Sequence, residues 1–281
     1  LFYAAASQNP TFSTQQNASG GWDLNSLASQ IAHPMAVLHQ KDHDRGFNFN
    51  THLSFDFAIT KHLNARLFGS YSFTTLENAI FQPTWTEAQG KMYRRENKNE
   101  DFLGSIQLNY NNTWGVHKLD LTATAEHQNN RKQFFFTTVK GLASNAFGYD
   151  NLMVGNIHPY KGTSSGYESP KLTSFMGNLS YTLLNRYALS LTLRADGSTL
   201  VGHNNTWGFF PSTGLEWNLK EEKWLQDVKW LDHLKLQTSV GRSGNLGGIL
   251  AYYTQQALVP SGIISYHGIP TVTLGQIRNA N

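Results

Sequence analysis

The sequence predicts an all-β fold, an antiparallel transmembrane β-barrel segment of about eight strands with long extracellular loops and short periplasmic turns. Apolar and polar residues alternate over stretches of about 9–11 residues, the length that a tilted membrane-spanning strand needs. Short and long connections follow one another between these stretches. Aromatic residues make up 13% of the 281 residues, yet no run of about 18 apolar residues provides a transmembrane helix.

The alternation is clearest in the first predicted strand, Phe47–Phe57. One face is rich in phenylalanine, whereas asparagine, histidine, serine and aspartate occupy the other. The next segment, Leu63–Phe73, alternates in the same way, with Phe68 as the exception. Such strands suit a sheet with lipid on one side and water on the other. The six further segments are Phe102–Tyr110, Lys118–Gln128, Leu172–Thr182, Tyr187–Asp196, Phe210–Leu219 and His233–Arg242.

The connections divide into two kinds. The short ones are Ala58–His62, Asn111–His117 and Leu183–Arg186, and the long ones are Thr74–Asp101 and Asn129–Lys171. This asymmetry is typical of outer-membrane barrels, which have tight periplasmic turns and long outer loops. A short amphipathic helix is predicted within Lys220–Asp232. We expect loops and a partial strand in residues 1–45, barrel-wall strands and loops in 46–245, and an extracellular loop region in 246–281.

Composition argues against several other classes of protein. The net charge is only +3 and the basic residues are scattered, so nucleic acid is not an expected partner. The chain has no cysteine and therefore no disulfide framework. His39 and His43 have a spacing that would suit a metal site on a helix, but no third ligand has a recognisable spacing, and we predict no metal and no cofactor.

One stretch, Tyr187–Trp217, contains two alternating strands joined by a polar turn. Its polar face carries Arg194, Asp196, Ser212 and Glu216. We interpret Arg194 and Asp196 as a salt-bridged pair that faces the barrel lumen, or as residues that pair with neighbouring strands, because cross-strand and same-face charge pairs are common in sheets. Catalysis by paired carboxylates would need two such groups to converge in a cleft, so no catalytic residue and no enzyme activity are predicted.

The same stretch resembles the SusC/RagA-like TonB-dependent outer-membrane transporters of Bacteroidetes. The resemblance rests on LTLRADGST, NNTWGFFPS and GLEWNLKEEKWL, with Thr199 where the family usually has serine. HPMAVL at His33–Leu38 is a weaker match, in which His33 replaces an asparagine. The signature positions, interpreted as structural, are Arg194, Asp196, Gly197, Ser198, Trp207, Gly208, Phe210, Pro211, Ser212 and Trp217.

The resemblance implies more than the alternation does. It implies a location in the bacterial outer membrane and import of oligosaccharides or peptides as nutrients. It also implies a SusD-like surface lipoprotein as partner, and TonB acting through an N-terminal plug that is not found in this chain. The chain resembles a central slice of a barrel of about twenty-two strands, in contact with outer-membrane lipid.

The predicted outer loops hold the candidate contacts for a ligand or a partner protein, since binding residues often lie on loops. Aromatic rings and charged groups there could bind a glycan or a peptide, or could pack the loops together. Two other readings stay open: a self-contained small outer-membrane barrel with a structural or adhesive role, and a soluble β-rich binding module. The candidate residues are Trp85, Tyr93, Arg94, Arg95, Tyr149 and Tyr160.

Overall fold

The described part of the protein is mostly β-structure in its computed structural model. Two short helices, α1 (Phe2–Ala6) and α2 (Pro34–Val37), lie near the N-terminus. Within the described residues, no helix is long and apolar enough to cross a membrane. The structure describes residues 2–6, 13–18, 20–22, 33–87, 89–159, 162–202, 204, 206–247, 249, 257–266 and 269–276, the last two ranges as backbone only.

Twelve strands occupy the described part of the chain. They are β1 (Lys41–Ala58), β2 (Leu63–Gln82), β3 (Lys91–Trp114), β4 (His117–Leu142), β5 (Gly155–Ile157), β6 (Thr163–Glu168), β7 (Lys171–Leu183), β8 (Tyr187–Ser198), β9 (Trp207–Asn218), β10 (Lys235–Gly241), β11 (Ala257–Tyr266) and β12 (Ile269–Gln276).

The main sheet confirms the predicted antiparallel fold of about eight strands. Its path runs β1-β2-β3-β4-β7-β8-β9-β10, while β5 and β6 pair with β4, and β11 and β12 form a separate pair. Neighbours along this path are sequential apart from the step from β4 to β7, as in an up-and-down barrel wall. The turn between β7 and β8 holds Leu184 and Asn185, both with φ of 55°, in a connection as tight as predicted.

Several strands run farther than the sequence predicted. The segment 74–101, expected as a long loop, is mostly strand, since β2 continues to Gln82 and β3 begins at Lys91. Similarly, β4 continues to Leu142 in place of the loop expected after Gln128. The prediction was wrong here because these extensions contain charged runs and the run Phe134–Phe136, and so lack the regular polar-to-apolar alternation of a membrane crossing.

The amphipathic helix predicted in Lys220–Asp232 does not form. A 3-10 turn at Leu219–Glu221 takes its place, followed by irregular turns. The Lys220 Nζ donates hydrogen bonds to the carbonyl oxygens of Leu225, Gln226 and Val228, at 3.1, 3.2 and 2.8 Å. A side chain therefore satisfies carbonyl groups that a helix would pair with backbone N–H groups.

The chain divides into two compact units. We call the first the loop unit and the second the wall unit. The loop unit comprises Leu1–Phe49, Phe73–Asn99 and Lys132–Tyr167, and the wall unit comprises Asn50–Ser72, Glu100–Arg131 and Glu168–Asn281. The loop unit has a small core of Phe81, Met92 and Leu142, against which Tyr149, Leu152 and Val154 pack.

The wall unit has two chemically different faces. On β8 the alternate side chains Leu189, Leu191 and Leu193 are exposed, as expected for a face that contacts lipid. On the opposite face Thr192 donates a hydrogen bond to Asn178 on β7, at 2.9 Å. Monomeric soluble proteins rarely expose such a broad apolar surface, whereas a membrane-spanning sheet must do so.

Candidate functional site

Several signature residues on β8 and β9 of the wall unit form a cluster with residues of β7. Arg194 Nε donates to both carboxylate oxygens of Asp196, each at 2.8 Å. Arg194 Nη2 also contacts the hydroxyl of buried Ser174 on β7, at 3.4 Å. The two side chains thus form an ion pair on one strand face, and that this face lines a barrel lumen stays a prediction. The paired groups bind each other and a neighbouring strand, as structural residues do.

Two signature glycines leave room for aromatic rings. A Cβ at Gly197 would lie 2.9 Å from the Trp207 ring, and one at Gly208 would lie 2.6 Å from the Phe210 ring. Trp207 in turn stacks on Phe175, with ring centroids 5.9 Å apart. The glycines are therefore required by close packing, because any larger residue would displace a ring.

The last signature residue, Trp217, belongs to a cluster at the other end of β9. Its ring stacks on Tyr187, with centroids 6.3 Å apart. The Tyr187 hydroxyl and the Trp217 Nε1 both donate to Oε1 of Glu222, at 2.5 and 3.1 Å. These hydrogen bonds, with that of Tyr187 contributing most, lower the pKa of Glu222. Paired aromatic rings at strand ends are typical of the interfacial girdle of a barrel.

In the loop unit, one face of the strands carries an aromatic ladder, which we define as Tyr93, Phe136 and Phe134. Tyr93 on β3 lies 6.2 Å from Phe136 on β4, and Phe136 stacks with Phe134 at 6.5 Å. The Phe134 ring covers Gly166 of β6, where a Cβ would clash with it. The ladder thus joins three strands.

Polar groups share the ladder's face of the loop unit. Strand alternation places Arg95 beside Tyr93, and the Arg95 Nε donates to the Asn97 side chain at 3.1 Å. On β2, Asn78 donates to Asp44 of β1 at 2.7 Å. Rings with amides, carboxylates and a guanidinium form the kind of surface that binds sugars or peptides.

The loop unit also contains a cavity of about 350 Å³, which residues of the opposite face line together with Arg95 and Asn78. His43 stacks on Tyr149 at its edge, with ring centroids 6.1 Å apart. Three of the predicted contact residues, Arg94, Arg95 and Tyr149, therefore lie around one cavity. Glu77, Glu96 and Asp150 line it as well.

The other predicted contact residues lie elsewhere. Tyr93 belongs to the aromatic ladder, and Tyr160 falls outside the described residues. Trp85 packs edge-to-face on Trp22 at 6.1 Å, and Trp22 is itself buried and stacked on His39 at 4.6 Å. Trp85 thus closes a small aromatic cluster. The role of these six residues in binding stays a prediction.

Sequence reasoning missed Glu77 and Asp150 as cavity residues. Both residues lie in segments that the sequence predicted to be loops, and a loop gives no alternation from which the direction of a side chain can be predicted. Alternation through residues 75–82 would have placed Glu77 on the same face as buried Ala79 and Phe81. Asp150 lies in a turn, and no sequence signal places it at the cavity.

The histidines considered as metal ligands have other surroundings. His39 follows α2 and stacks on Trp22, whereas His43 lies on β1. They do not share a helix face, and the described residues contain no group of three or more side chains placed to hold a metal ion. His33, which replaces an asparagine, caps α2 because its Nδ1 accepts a hydrogen bond from Met35 N at 3.2 Å.

Comparisons with known proteins agree with this architecture. A family model described as TonB dependent receptor-like, beta-barrel, matches residues 1–279. The TonB-dependent receptor SusC of Bacteroides thetaiotaomicron is 28% identical over 253 residues, which are 85% of this chain and 24% of that protein. TonB-dependent receptor P3 of Formosa agariphila is 26% identical over 236 residues, which are 82% of this chain and 23% of that protein.

A solved structure shows the same fold. The RagAB peptide transporter matches with a TM-score of 0.79 at 16% identity, over 89% of this chain and 28% of the transporter chain. The chain thus spans about a quarter of the length of the relatives that it matches. The resemblance to SusC/RagA-like proteins and the outer-membrane location are confirmed. The chain belongs to the family of TonB-dependent receptors and forms part of their outer-membrane β-barrel.

Proposed function

We propose that this chain is part of the wall of a TonB-dependent importer that takes up oligosaccharides or peptides as nutrients. The observation that supports this most is the two-sided wall unit. Leu191 is exposed on its apolar face, while Thr192, the next residue, is hydrogen-bonded to Asn178 on its polar face. A wall of this kind separates lipid from a polar lumen and catalyses no reaction.

The substrate would contact the aromatic ladder in the loop unit. Tyr93 and Phe134 offer ring surfaces, and Arg95 and Asn78 add hydrogen-bonding groups on the same face. Stacking on rings combined with a few polar contacts suits both sugar rings and peptide side chains. The name of one similar solved structure, the RagAB peptide transporter, refers to peptides.

The transporter would work with two partners. A SusD-like surface lipoprotein would cover the outer opening and deliver substrate, and TonB would act through an N-terminal plug region of the full-length protein. Both partners are proposed from the similarity to SusC and to the RagAB peptide transporter. Co-purification of a lipoprotein with the full-length receptor tests the first of them.

Uptake by cells that produce the full-length receptor tests the import function. A panel of labelled oligosaccharides and peptides identifies the class that the wild type accumulates. Replacing Phe134 by Ala should lower uptake of that class about two- to tenfold, since an aromatic contact contributes about 0.5–1.5 kcal/mol. Tyr71→Ala is the control, because Tyr71 is an exposed ring on the apolar face of β2. Uptake that is unchanged by deletion of the receptor would disprove the function.

A further inference from the structure

The loop unit has an exposed apolar patch on the same strand face as its cavity. Phe47 and Phe49 on β1 are 55% and 48% exposed. The Phe47 ring contacts Phe73 of β2, with centroids 6.3 Å apart. We call Phe47, Phe49 and Phe73 the phenylalanine patch. In the membrane location established above, exposed rings of this kind meet lipid chains.

Just beyond the phenylalanine patch, the same face of β1 becomes basic. Residues two apart share a strand face, so Arg45, His43 and Lys41 follow Phe47 in order. His43 lines the cavity. Phe47 lies four positions after His43, a distance of about 13 Å at about 3.3 Å per residue. The change from rings to cations therefore takes place over the depth of a lipid headgroup.

The cavity itself offers both donors and acceptors. Arg94 provides guanidinium donors, and Glu77 and Glu96 provide carboxylate acceptors. Lys98 binds Glu96 at 2.8 Å on the same strand. Among the described residues, no ion pair involves Arg45 or Arg94. Their guanidinium groups are thus able to bind an anionic group such as a phosphate, while the carboxylates accept from hydroxyl groups.

We propose that this cavity and the adjoining Arg45 bind the phosphorylated saccharide headgroup of a membrane glycolipid, whose acyl chains lie on the phenylalanine patch. Arg45 and Arg94 bind the phosphate, and the carboxylates of Glu77 and Glu96 accept hydrogen bonds from sugar hydroxyls. If the ligand were instead a soluble sugar phosphate, it would occupy the cavity without contacting the phenylalanine patch. The continuity of cavity and patch on one face favours the lipid-linked form. The cavity shares Arg95 and Asn78 with the proposed import surface, but Arg45 and Arg94 do not belong to that surface, so the proposal does not depend on import.

Binding of lipid A to the full-length, detergent-purified and delipidated receptor tests the proposal. Arg45→Gln combined with Arg94→Gln should raise the Kd for lipid A about tenfold or more, because a charge-assisted hydrogen bond contributes about 1.5–3 kcal/mol. Arg66→Gln is the matched control, since Arg66 pairs with Asp56 at 2.6 Å in the wall unit. Its Kd should stay within about twofold of the wild type.

Two further ligands test which chemical groups of lipid A the site recognises. Phosphatidylglycerol should bind at least about tenfold more weakly than lipid A, and glucose 1-phosphate should not compete with lipid A. An equal Kd for lipid A in the double variant and the wild type would overturn the proposal. If phosphatidylglycerol bound as tightly as lipid A, the claim that the site recognises a saccharide would be overturned. If glucose 1-phosphate competed with lipid A, the claim that the ligand must be lipid-linked would be overturned. Heat-modifiable gel migration confirms that each variant is folded, and the uptake assay with the receptor deletion tests the import function independently of this result.

Discussion

The hydroxyl of Tyr187 donates a 2.5 Å hydrogen bond to the carboxylate of Glu222, which joins the first residue of β8 to the turn that follows β9. Trp217 Nε1 donates to the same oxygen at 3.1 Å, and Arg186 contacts the other oxygen at 3.4 Å. One carboxylate therefore holds two strand ends and the turn together. Such networks stabilise more than their separate contacts suggest.

Removal of this carboxylate should destabilise the barrel. Glu222→Ala leaves the Tyr187 hydroxyl, the Trp217 N–H and Arg186 without their common acceptor, and the Tm of the full-length receptor should fall. Glu221→Ala is the control, since within the described part of the chain Glu221 accepts a hydrogen bond through its backbone carbonyl, from Gln226 at 2.9 Å, and not through its side chain. A larger loss of Tm for Glu221→Ala than for Glu222→Ala would contradict the assignment.

The same carboxylate predicts a pH dependence of stability. The hydrogen bond from Tyr187 is the main cause of the lowered pKa of Glu222 in the folded protein. Its stabilising effect is therefore complete above the ordinary glutamate pKa of about 4.3 and is lost as the pH falls through the lower folded value. Thermal unfolding from about pH 6 to about pH 3 should show the wild type losing its Tm advantage over Glu222→Gln. A difference in Tm that stays constant over this range would argue against ionised Glu222 as the acceptor.

Arginine substitutions at neighbouring positions of β8 test which face meets lipid. Leu191 lies on the exposed apolar face opposite Leu179 of β7, whereas Thr192 lies opposite Asn178. Leu191→Arg should cost about 2–4 kcal/mol at mid-bilayer and lower the amount of assembled barrel, while Thr192→Arg should be tolerated. The measurement is the fraction of receptor with heat-modifiable gel migration in outer-membrane preparations. Equal tolerance at both positions would be incompatible with a lipid-facing Leu191.

Alanine substitutions at two glycines test the ring packing of the signature cluster. A Cβ at Gly208 would lie 2.6 Å from the Phe210 ring, whereas one at Gly177 would meet nothing within 4 Å. Gly208→Ala should destabilise by about 1–3 kcal/mol through overpacking. Gly177→Ala should be close to neutral. Guanidinium unfolding of the full-length receptor in detergent compares them, and similar midpoints for the two variants would refute the packing argument.

The wall unit could be predicted from the sequence because each strand obeys a simple period of two. Leu189, Leu191 and Leu193 alternate with polar residues, and the register pairs them with Tyr181, Leu179 and Gly177 on β7. A one-residue slip would bring the polar face into lipid, so the pattern fixes the register as well as the strand.

The loop unit could be predicted only in part. Its strands carry polar and aromatic residues on both faces, so the pattern resembled a loop although the backbone pairs as a sheet. Tyr149 and His43 lie far apart in the sequence, and only the folded chain between them stacks their rings 6.1 Å apart. Contacts of this kind depend on turn geometry at residues such as Gly148, whose φ is 57°.

The tight turn at Leu184 and Asn185 has a consequence for the order in which the strands associate. Leu183 pairs with Tyr187 directly across this turn, whereas Asn129 of β4 pairs with Lys171 of β7 only after the segment 130–170 has been spanned. Closing a loop costs about 0.6 kcal/mol more for each doubling of its length. The meander of β7, β8 and β9 therefore forms with little loss of chain entropy. Its edge strand β7 is then available to pair with β4.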